Sequence, residues 1–422
     1  MGQQKTGKLC ECGGEYIYCC DHIEWCKSCI IKKNSEMGIK EDEKENENFN
    51  DLIQKMRSKI NCRKDAFFKW IQYDKFSNPE KIGEGGFSTV YLVTCYCPLL
   101  VLDSIDEEKK EGKKVALKIL HDSSMTNNFL NEVKAYSISE HSNILKILGI
   151  SQNPESKDYV MVLEYANRGN FNYWLNKNYE NFNWLSKLKR LGDIIVGLQQ
   201  IHEQQMVHRD LHTGNILFQF AEEEFLCISD MGLCGKIDNI DESNIYGVMP
   251  YIAPEVLRGK PYTKAADIYS FGMIMYFVAT GRQPFADYAH DQNLALNICN
   301  GIRPEIDEQE APKCYIDLMK KCWDLNPKER PDVNEAKDRI LAFYNSYVDD
   351  AETELIIVKY KTEYKEYYDF NMQFKKAEEH RLSLKKNKET TNHPQAIYTS
   401  RLLNPFTKDL GYSECLDCVI TD

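Results

Sequence analysis

The segment HRDLHTGN, residues 208–215, contains side chains whose types and spacing suit the transfer of a phosphoryl group to a hydroxyl. In such a loop Asp210 would accept the proton of the incoming hydroxyl. Asn215, five positions later, would bind a magnesium ion through its amide oxygen. These side chains can act only if other parts of the chain hold a phosphoryl donor beside them.

Two earlier segments and one later segment carry side chains for that task. Gly83 and Gly85 in KIGEGGFSTV favour a turn whose backbone N–H groups can approach phosphate oxygens closely. Lys118 in VALK would contact phosphates as a point charge, and Glu132 in FLNEVKAYSI would pair with that lysine. Asp230 in ISDMGL supplies a second oxygen ligand for magnesium. Taken singly, these features also fit a hairpin turn, a solvated lysine and a surface turn.

In their order along the chain, these motifs resemble the eukaryotic protein kinase domain. The family's series of motifs is present: a glycine loop, VALK, a helical glutamate, HRDLHTGN, DMG, APE and DIYSFG. The resemblance covers residues 76–345. It implies an α+β, bilobal protein kinase fold, with a small β-rich N-lobe, a larger helical C-lobe and ATP in the cleft between them.

The resemblance also implies roles for individual residues. Asp210, Lys118, Glu132 and Asn215 are the catalytic candidates. Magnesium would be bound by Asn215 and Asp230. The candidate nucleotide-binding residues are Ile82, Gly83, Glu84, Gly85, Gly86, Phe87, Ser88, Val90, Ala116, Lys118, Glu164, Ala166 and Leu217.

Further positions are expected to support this machinery. Leu163 would be the gatekeeper in front of a hinge formed by residues 164–166. Glu255 would pair with Arg330, and Asp267 would brace the catalytic loop from a buried helix. These last two roles are structural.

Two positions in the nucleotide- and metal-binding motifs depart from the family pattern. Met231 stands where phenylalanine is usual, and Ser88 stands where a third glycine is usual. Methionine is apolar and adaptable, and neither change removes a ligand for phosphate, metal or proton. We therefore expect an active kinase; the alternative is a non-catalytic scaffold with a kinase fold.

The acceptor specificity depends on the catalytic loop and on GVMPYIAPE, residues 247–255. Serine/threonine kinases have a lysine where this chain has His212 and a threonine where it has Val248. Tyrosine kinases have an arginine where it has Gly214. His212 can still donate a hydrogen bond to phosphate. The wider sequence resembles tyrosine-kinase-like serine/threonine kinases, so we expect Ser/Thr specificity, with tyrosine or dual specificity as alternatives.

Composition narrows the expected partners. The chain has 422 residues, a net charge of −12 and 28% charged residues, which is typical of a folded protein without a broad basic surface. No apolar run reaches the roughly 20 residues of a membrane helix, and no secretory signal is visible. We expect ATP and protein substrates as partners, no nucleic acid, no membrane span and a cytoplasmic location.

Four regions differ in composition. Residues 1–33 are rich in cysteine, and residues 34–75 are interpreted as a charged linker followed by a helix over residues 51–75. Residues 76–345 begin with strand-like runs and continue with helical ones. Residues 346–422 form a charged tail, in which a helical stretch ends before TTNHPQAIYTSRLLNP. We expect that tail to be partly disordered.

The sixteen cysteines include a cluster near the N-terminus. Cys26 and Cys29 have the spacing of a zinc knuckle, in which two thiolates bind one tetrahedral ion. The other candidate ligands are the pair Cys10 and Cys12, the pair Cys19 and Cys20, and His22. Such a site would be structural and would serve an upstream or scaffold partner. The alternative is a short tail of reduced thiols, the state expected of the remaining cysteines.

Regulation by phosphorylation is expected in the loop between Asp230 and Glu255. This loop offers Ser243 and Tyr246. Arg209, next to the catalytic aspartate, would anchor a phosphate on either residue and so order the loop. The alternative is that both are ordinary exposed loop residues.

Overall fold

The computed structural model describes residues 5–9, 15–18, 24–26, 69–85, 88–97, 112–121, 127–136, 143–220, 224–236, 244–348, 364–383 and 392–407. The chain divides into two compact units, residues 1–165 and 166–422. Several residues singled out in the sequence lie outside the described residues: Cys10, Cys12, Cys19, Cys20, His22, Cys29, Gly86, Phe87 and Ser243.

The first unit contains two sheets. The smaller sheet consists of β1 (Lys5–Leu9), β2 (Glu15–Tyr18) and β3 (Glu24–Cys26), and both strand pairs are antiparallel. The strands of the larger sheet are β4 (Lys69–Trp70), β5 (Phe76–Glu84), β6 (Ser88–Cys95), β7 (Lys113–Leu120), β8 (Ile147–Gln152) and β9 (Tyr159–Glu164). Their order is β4-β8-β9-β7-β6-β5, and all pairs except the parallel β4–β8 pair are antiparallel. Among the described residues of this unit, Asn127–Tyr136 form helix α1.

The two faces of the larger sheet have different side chains, because successive residues of a strand point to opposite sides. One face carries the apolar core of the unit: Ile71, Val93, Cys95, Cys97, Val115, Leu117, Leu148, Val160 and Val162. The register pairs Val90 with Lys118 and Ala116 with Leu163. Since Ala116 and Lys118 are two residues apart, these predicted site residues share the other face.

Residues 69–75 differ from the helix predicted over residues 51–75. Lys69–Trp70 form strand β4, and Tyr73–Lys75 form a short 3-10 turn. Ile71 is buried, and its N–H donates to the carbonyl oxygen of Ile150 at 2.9 Å. Pairing with the edge of the sheet therefore outweighs the local helical spacing here. The sheet begins before residue 76, and residues 51–68 lie outside the described residues.

The second unit is mainly helical. Its helices are α2 (Phe171–Asn178), α3 (Trp184–Glu203), α4 (Pro254–Leu257), α5 (Lys264–Thr280), α6 (Gln292–Cys299), α7 (Lys313–Cys322), α8 (Val333–Val348), α9 (Tyr364–Ser383) and α10 (Asn404–Thr407). Its short strands are β10 (Met206–Val207), β11 (Ile216–Phe220), β12 (Glu224–Ile228), β13 (Gly235–Lys236), β14 (Tyr246–Gly247) and β15 (Arg401–Leu402).

Helix α5 lies at the centre of the second unit, since every residue from Ala266 to Thr280 is buried. At Gly272 an added Cβ would lie 2.9 Å from the Cβ of Cys322 in α7. The glycine therefore permits close packing of the two helices. The strand-rich first unit and helical second unit agree with the predicted α+β protein kinase fold.

Two segments of the C-terminal tail, residues 364–383 and 392–407, are held by contacts with other parts of the second unit. The expected helix is present as α9, and its Phe374 is fully buried against Trp184 and Phe343. Asn371 Nδ2 also donates to the carbonyl oxygen of Ser346 at 2.6 Å. Beyond the helix, residues 392–407 pack on the second unit. Tertiary contacts, which the composition of the tail does not reveal, order both segments.

Two further properties concern the described residues alone. Among the cysteines whose side chains are described, Cys95, Cys299, Cys314 and Cys322 carry reduced thiols. None of the described helices combines the length and the apolar character needed to cross a membrane.

Candidate active site

The glycine-rich segment lies at the turn between β5 and β6. Gly83 pairs with Val90, and the Gly85 N–H donates to the carbonyl oxygen of Ser88 at 2.9 Å. Ile82, Glu84 and Gly85 are exposed, whereas Ser88 is buried. Because Gly85 has no side chain, its backbone is exposed in the described part of the turn.

Lys118 and Glu132 form a buried ion pair in the first unit. Lys118 Nζ lies 2.6 Å from Glu132 Oε1, and the two residues are only 4% and 2% exposed. A buried charge is tolerated when it is paired and hydrogen-bonded. Helix α1 therefore supplies the carboxylate expected from the sequence.

The predicted adenine-binding residues lie in both units. In the first unit Leu163 is buried and pairs with Ala116, and the Glu164 N–H donates to the carbonyl oxygen of Lys146 at 2.9 Å. Ala166 begins the second unit and is buried there. Leu217, on β11 of the second unit, is half-buried.

In the second unit, Asn215 holds Asp210, the predicted catalytic aspartate. Its Nδ2 donates to the carbonyl oxygen of Asp210 at 2.9 Å and to Asp210 Oδ2 at 3.1 Å. The Asn215 N–H donates to the carbonyl oxygen of His212 at 2.9 Å, which closes the loop. With the amide nitrogen bonded to Asp210, the amide oxygen is the atom that can ligate a cation.

A β-hairpin brings Asp230 back towards the catalytic loop. Ile216 of β11 pairs with Ile228 of β12. Just beyond the pair, the N–H and the hydroxyl of Ser229 both donate to the carbonyl oxygen of Asn215, at 2.8 and 2.9 Å. Asp230 follows in a left-handed conformation, with φ of 56°. The hairpin places oxygen donors of two distant segments at the same end, where a hard cation such as Mg²⁺ fits their chemistry.

Asp267 fixes the backbone of the loop from helix α5. Its Oδ2 accepts the His208 N–H at 2.8 Å and its Oδ1 accepts the Arg209 N–H at 3.1 Å. His202 Nε2 lies 2.9 Å from Oδ2. Burial opposes ionisation of Asp267, but these hydrogen bonds hold the pKa of its carboxyl below the ordinary value.

His208 links the loop to the hairpin, a role that the sequence did not reveal. Its Nδ1 accepts the Asp210 N–H at 3.2 Å, so the ring proton lies on Nε2, 3.1 Å from the carbonyl oxygen of Ser229. The ring therefore ties the catalytic aspartate to the residue before Asp230. In the sequence, nothing about His208 distinguishes it from a histidine that is merely buried in the core.

Glu255 and Arg330 form a two-pronged ion pair. Arg330 Nη1 and Nη2 donate to the two carboxylate oxygens of Glu255 at 2.7 and 2.8 Å. Arg330 Nη1 and Nε also bond the carbonyl oxygens of Ala265 and Asp324 at 2.9 Å. The pair joins the segment after β14 to the start of α5 and to the approach to α8.

These positions lie in a region of the chain that matches a known family. Residues 76–340, well over half of the chain, match the model of the protein tyrosine and serine/threonine kinase domain. The chain belongs to the protein kinase family. The matched region starts where the sequence motifs start and ends five residues before the predicted boundary at 345, although α8 continues to Val348.

Named relatives of this kinase include both Ser/Thr and dual-specificity enzymes. One is the dual specificity protein kinase pyk3 of Dictyostelium discoideum, 28% identical over 309 residues, or 72% of this chain and 20% of that protein. Another is the serine/threonine-protein kinase STY17 of Arabidopsis thaliana, 29% identical over 232 residues, or 53% and 39% of the two chains. A third is the human dual specificity testis-specific protein kinase 2, 30% identical over 272 residues, or 63% and 44%. The kinase spans less than half the length of each of these relatives.

His212 of the kinase is oriented by Gly214. The Gly214 N–H donates to His212 Nδ1 at 3.1 Å, so a neutral ring carries its proton on Nε2. That nitrogen lies 3.6 Å from Asp210 Oδ1. Any side chain at position 214 would collide with the ring, because an added Cβ would approach its Cε1 to 2.7 Å. The two departures from the usual motifs, His212 and Gly214, therefore depend on one another.

A buried polar network supports the loop below His212. Gln283 Nε2 donates to Thr213 Oγ1 at 3.0 Å and to Asn172 Oδ1 at 3.1 Å, and Tyr251 OH donates to Gln283 Oε1 at 2.6 Å. Burial raises the pKa of Tyr251, which stays a hydrogen-bond donor. Gln283 lies in the segment after α5, and no role for it was predicted from the sequence.

Ser400, from the C-terminal segment, lies at the catalytic aspartate. Its hydroxyl donates to Asp210 Oδ2 at 2.5 Å and lies 3.2 Å from His212 Nε2. Position 400 is 190 residues from Asp210. No motif in the sequence marked it as a site residue.

The predicted regulatory positions are only partly described. Tyr246 is half-buried in β14, and its carbonyl oxygen accepts a hydrogen bond from Tyr262 OH at 2.9 Å. Ser243 lies outside the described residues. Anchoring of a phosphate by Arg209 stays a prediction.

Proposed function

We propose that the chain is a magnesium- and ATP-dependent protein kinase of the tyrosine-kinase-like group that phosphorylates serine and threonine. The observation that carries this proposal is the contact between Asp210 and Ser400. A serine hydroxyl donates to Asp210 Oδ2 at 2.5 Å while the backbone of the same segment pairs with β14. An aliphatic hydroxyl thus fits the position of a phosphate acceptor.

In the proposed reaction, Asp210 accepts the proton of the acceptor hydroxyl. Asn215 keeps the carboxylate oriented through its two hydrogen bonds, and Asp267 and His208 hold the backbone of the loop. His212 Nε2 can donate a hydrogen bond to the oxygen that is being phosphorylated. His212 would thus perform the role of the lysine that serine/threonine kinases have at this position.

The phosphoryl donor would be held by the motif residues. Lys118, kept in place by Glu132, would contact the phosphates of ATP, and the hairpin of Gly83 and Gly85 would offer backbone N–H groups. Val90, Ala116 and Leu217 would contact adenine. Magnesium, bound through Asn215 and Asp230, would neutralise phosphate charge.

The register of the paired segment favours serine or threonine over tyrosine. Tyr246 and Gly247 pair with Leu402 and Arg401, which places the backbone of the acceptor residue close to Asp210. A tyrosine hydroxyl stands several ångströms further from its own Cα than a serine hydroxyl does. To place its hydroxyl at Asp210, an acceptor tyrosine would therefore need its backbone to lie further from β14 than that of a serine. Dual specificity, found in the names of two relatives, is the second candidate.

The test is a magnesium–ATP assay of the purified chain on mixed protein substrates, followed by phosphoamino-acid analysis. Lys118→Met and Asp210→Asn should both abolish transfer. Lys114→Met, on the same strand but exposed, is the matched control and should stay active. Phosphoserine and phosphothreonine support the proposal, and phosphotyrosine alone refutes the specificity. Nucleotide binding without transfer in the unmodified chain would support the scaffold alternative.

We further propose a structural zinc ion in the cysteine-rich residues 1–33, here called the head. This ion would serve contact with an upstream or scaffold partner. In the small sheet, Leu9 pairs with Glu15, and Tyr16, the next residue, pairs with Cys26. Cys26 therefore lies near the end of β1. The pair Cys10 and Cys12 directly follows that end in the chain, whereas Cys19 and Cys20 follow the far end of β2. The register favours Cys10 and Cys12 as partners of Cys26 and Cys29. No group of three or more candidate ligands occurs among the described side chains.

A further inference from the structure

Residues 397–404, here called the acceptor segment, cross the catalytic loop. Ser400 makes the central contact of this segment. Its hydroxyl donates a hydrogen bond to Asp210 Oδ2, with 2.5 Å between the two oxygens. His212 Nε2, the nitrogen that carries the ring proton, lies 3.2 Å from the same hydroxyl oxygen. Ser400 thus has a proton acceptor on one side and a hydrogen-bond donor on the other.

The backbone of the segment is held in a defined register. Arg401 and Leu402 form β15, antiparallel to Gly247 and Tyr246 of β14. The Leu403 N–H donates to the carbonyl oxygen of Ile245 at 2.7 Å. Main-chain pairing of an added strand fixes which residue meets a given site, because a shift by one residue turns every side chain to the other face. The register therefore selects Ser400 and turns Thr399 away.

Side chains anchor the segment at both ends of this strand. Leu403 is completely buried, and Asn404 Oδ1 accepts the Ile245 N–H at 2.7 Å. On the other side of Ser400, Tyr398 OH donates to the carbonyl oxygen of Pro284 at 2.9 Å. Arg401 Nη2 donates to the carbonyl oxygen of His290 at 2.6 Å. These contacts involve apolar burial and directed hydrogen bonds, so the placement of Ser400 does not depend on its own hydroxyl.

Gly247 makes room for this arrangement. Its φ is +140°, and an added Cβ would lie 3.3 Å from Asp210 Oδ1 and 2.5 Å from Ile252 Cδ1. A side chain there would disturb both the aspartate and the strand that pairs with the segment. The backbone at 247 can therefore approach the catalytic residue closely only as glycine.

We propose that Ser400 is a phosphate acceptor for the chain's own kinase activity, modified within the same molecule. This inference rests on the proposed function. The Ser400 Oγ attacks the γ-phosphorus of ATP, the bond from that phosphorus to the oxygen of the β-phosphate breaks, and ADP leaves. The proton of the hydroxyl passes to Asp210 Oδ2. The products are phosphoserine at position 400, ADP and the proton.

The product is less suited to the site than the substrate. Phosphoserine carries close to two negative charges and would stand directly beside the Asp210 carboxylate. Like charges at this distance repel, so the phosphorylated segment should leave the catalytic loop. The unphosphorylated segment therefore blocks the acceptor position. A single phosphorylation within the same molecule releases it, and other substrates then have access to Asp210.

The experiment uses the full chain with magnesium–ATP, a serine-containing substrate peptide in the same tube, and mass spectrometry of the chain. We expect close to one phosphate at Ser400, with a first-order rate constant that does not change over a hundredfold range of chain concentration. Thr399→Ala, a neighbouring exposed hydroxyl, should leave this unchanged, and Ser400→Ala should remove it. The Asp210→Asn chain, mixed with unmodified chain, should stay unphosphorylated at Ser400.

The outcomes separate the two proposals. Peptide phosphorylation without phosphate at Ser400 overturns this inference and leaves the proposed function intact. Phosphate at Ser400 of the Asp210→Asn chain, at a rate that rises with the concentration of unmodified chain, overturns modification within one molecule. Phosphate on neither the peptide nor the chain overturns the proposed function, and this inference with it.

Discussion

Gly214 and His212 form a matched pair in the catalytic loop: the N–H of the glycine holds the ring nitrogen of the histidine at 3.1 Å, and the space a Cβ would need is filled by that ring. This relationship explains why the chain fits neither usual motif. A loop with histidine at 212 has no room for the arginine of tyrosine kinases at 214.

The first prediction concerns this pair. Gly214→Ala should displace the imidazole and lower kcat about 10- to 100-fold, since small displacements of a catalytic group have effects of that size. Gly192→Ala is the matched control, because an added Cβ at 192 meets nothing within 4 Å. That helix substitution should leave kcat unchanged and raise the free energy of unfolding by up to about 1 kcal/mol. Equal kcat values for the two variants would contradict the role of His212.

The second prediction concerns access to Asp210. Leu403→Asp should release the acceptor segment, because burying a leucine contributes about 1.5–3 kcal/mol and a buried carboxylate is unfavourable. Since 1.4 kcal/mol is a factor of ten, we expect at least about a tenfold lower KM for a substrate peptide during the first minutes of reaction.

Leu402→Asp is the control for that measurement. Leu402 is 39% exposed, whereas its neighbour Leu403 is completely buried. The control should show the KM of the unmodified chain and keep phosphorylation of Ser400. If both variants behave alike, the segment does not block the acceptor position.

The third prediction concerns the Glu255–Arg330 ion pair. Arg330→Met should lower the free energy of unfolding by about 3 kcal/mol, because it leaves a carboxylate without its partner in a site where the arginine is fully buried. Arg339→Met removes a pair with Glu366 whose side chains are 48% and 60% exposed, so its effect should stay below about 1 kcal/mol. Urea unfolding midpoints measure both. A loss at Arg330 no larger than that at Arg339 would refute the structural role.

The fourth prediction concerns Lys187, a fully buried lysine in α3 whose Nζ donates to the carbonyl oxygen of Ala279 at 2.8 Å. Burial, assisted by the positive charge of Arg381, lowers its pKa to about 7 from 10.5. Between these pH values the unfolded chain binds more protons than the folded chain does. The contribution of Lys187 to stability is therefore complete above about pH 10.5 and is lost as the pH falls towards 7.

Lys187→Met separates this contribution from other titrating groups. The free energy of unfolding of the unmodified chain should rise relative to that of the variant between pH 7 and pH 9. Denaturant unfolding at several pH values measures the difference. A constant difference across this range would contradict the lowered pKa.

The fifth prediction concerns metal in the head. The purified chain should contain about one zinc ion, detected by elemental analysis, and Cys26→Ser should lose it. Cys314→Ser is the control, because burial raises the pKa of that thiol to about 12 and it lies in a helix of the second unit. Loss of zinc in Cys12→Ser but not in Cys20→Ser supports the ligand set proposed from the register. The reverse result would assign the second pair instead.

The sequence predicted what depends on local chemistry. Gly83, Lys118, Asp210 and Asp230 could be proposed as site residues because phosphate binding, metal binding and proton transfer require particular residue types in a fixed order. The strands and α9 were found because apolar residues recur at the strand or helix period. The helix predicted over residues 51–75 was wrong over residues 69–75, because its helical spacing rested on residues 52–60, whereas Trp70 pairs with Ile150 at the edge of the sheet.

The order of the motifs is enough to indicate the family and the side chains that could do the chemistry. The residue that occupies the acceptor position depends on tertiary contacts. Ser400 reaches Asp210 because Leu403 is buried and β15 pairs with β14, contacts between segments more than 150 residues apart. Neither burial nor strand register across such a separation is encoded by local periodicity, since both depend on which surfaces the folded chain leaves available.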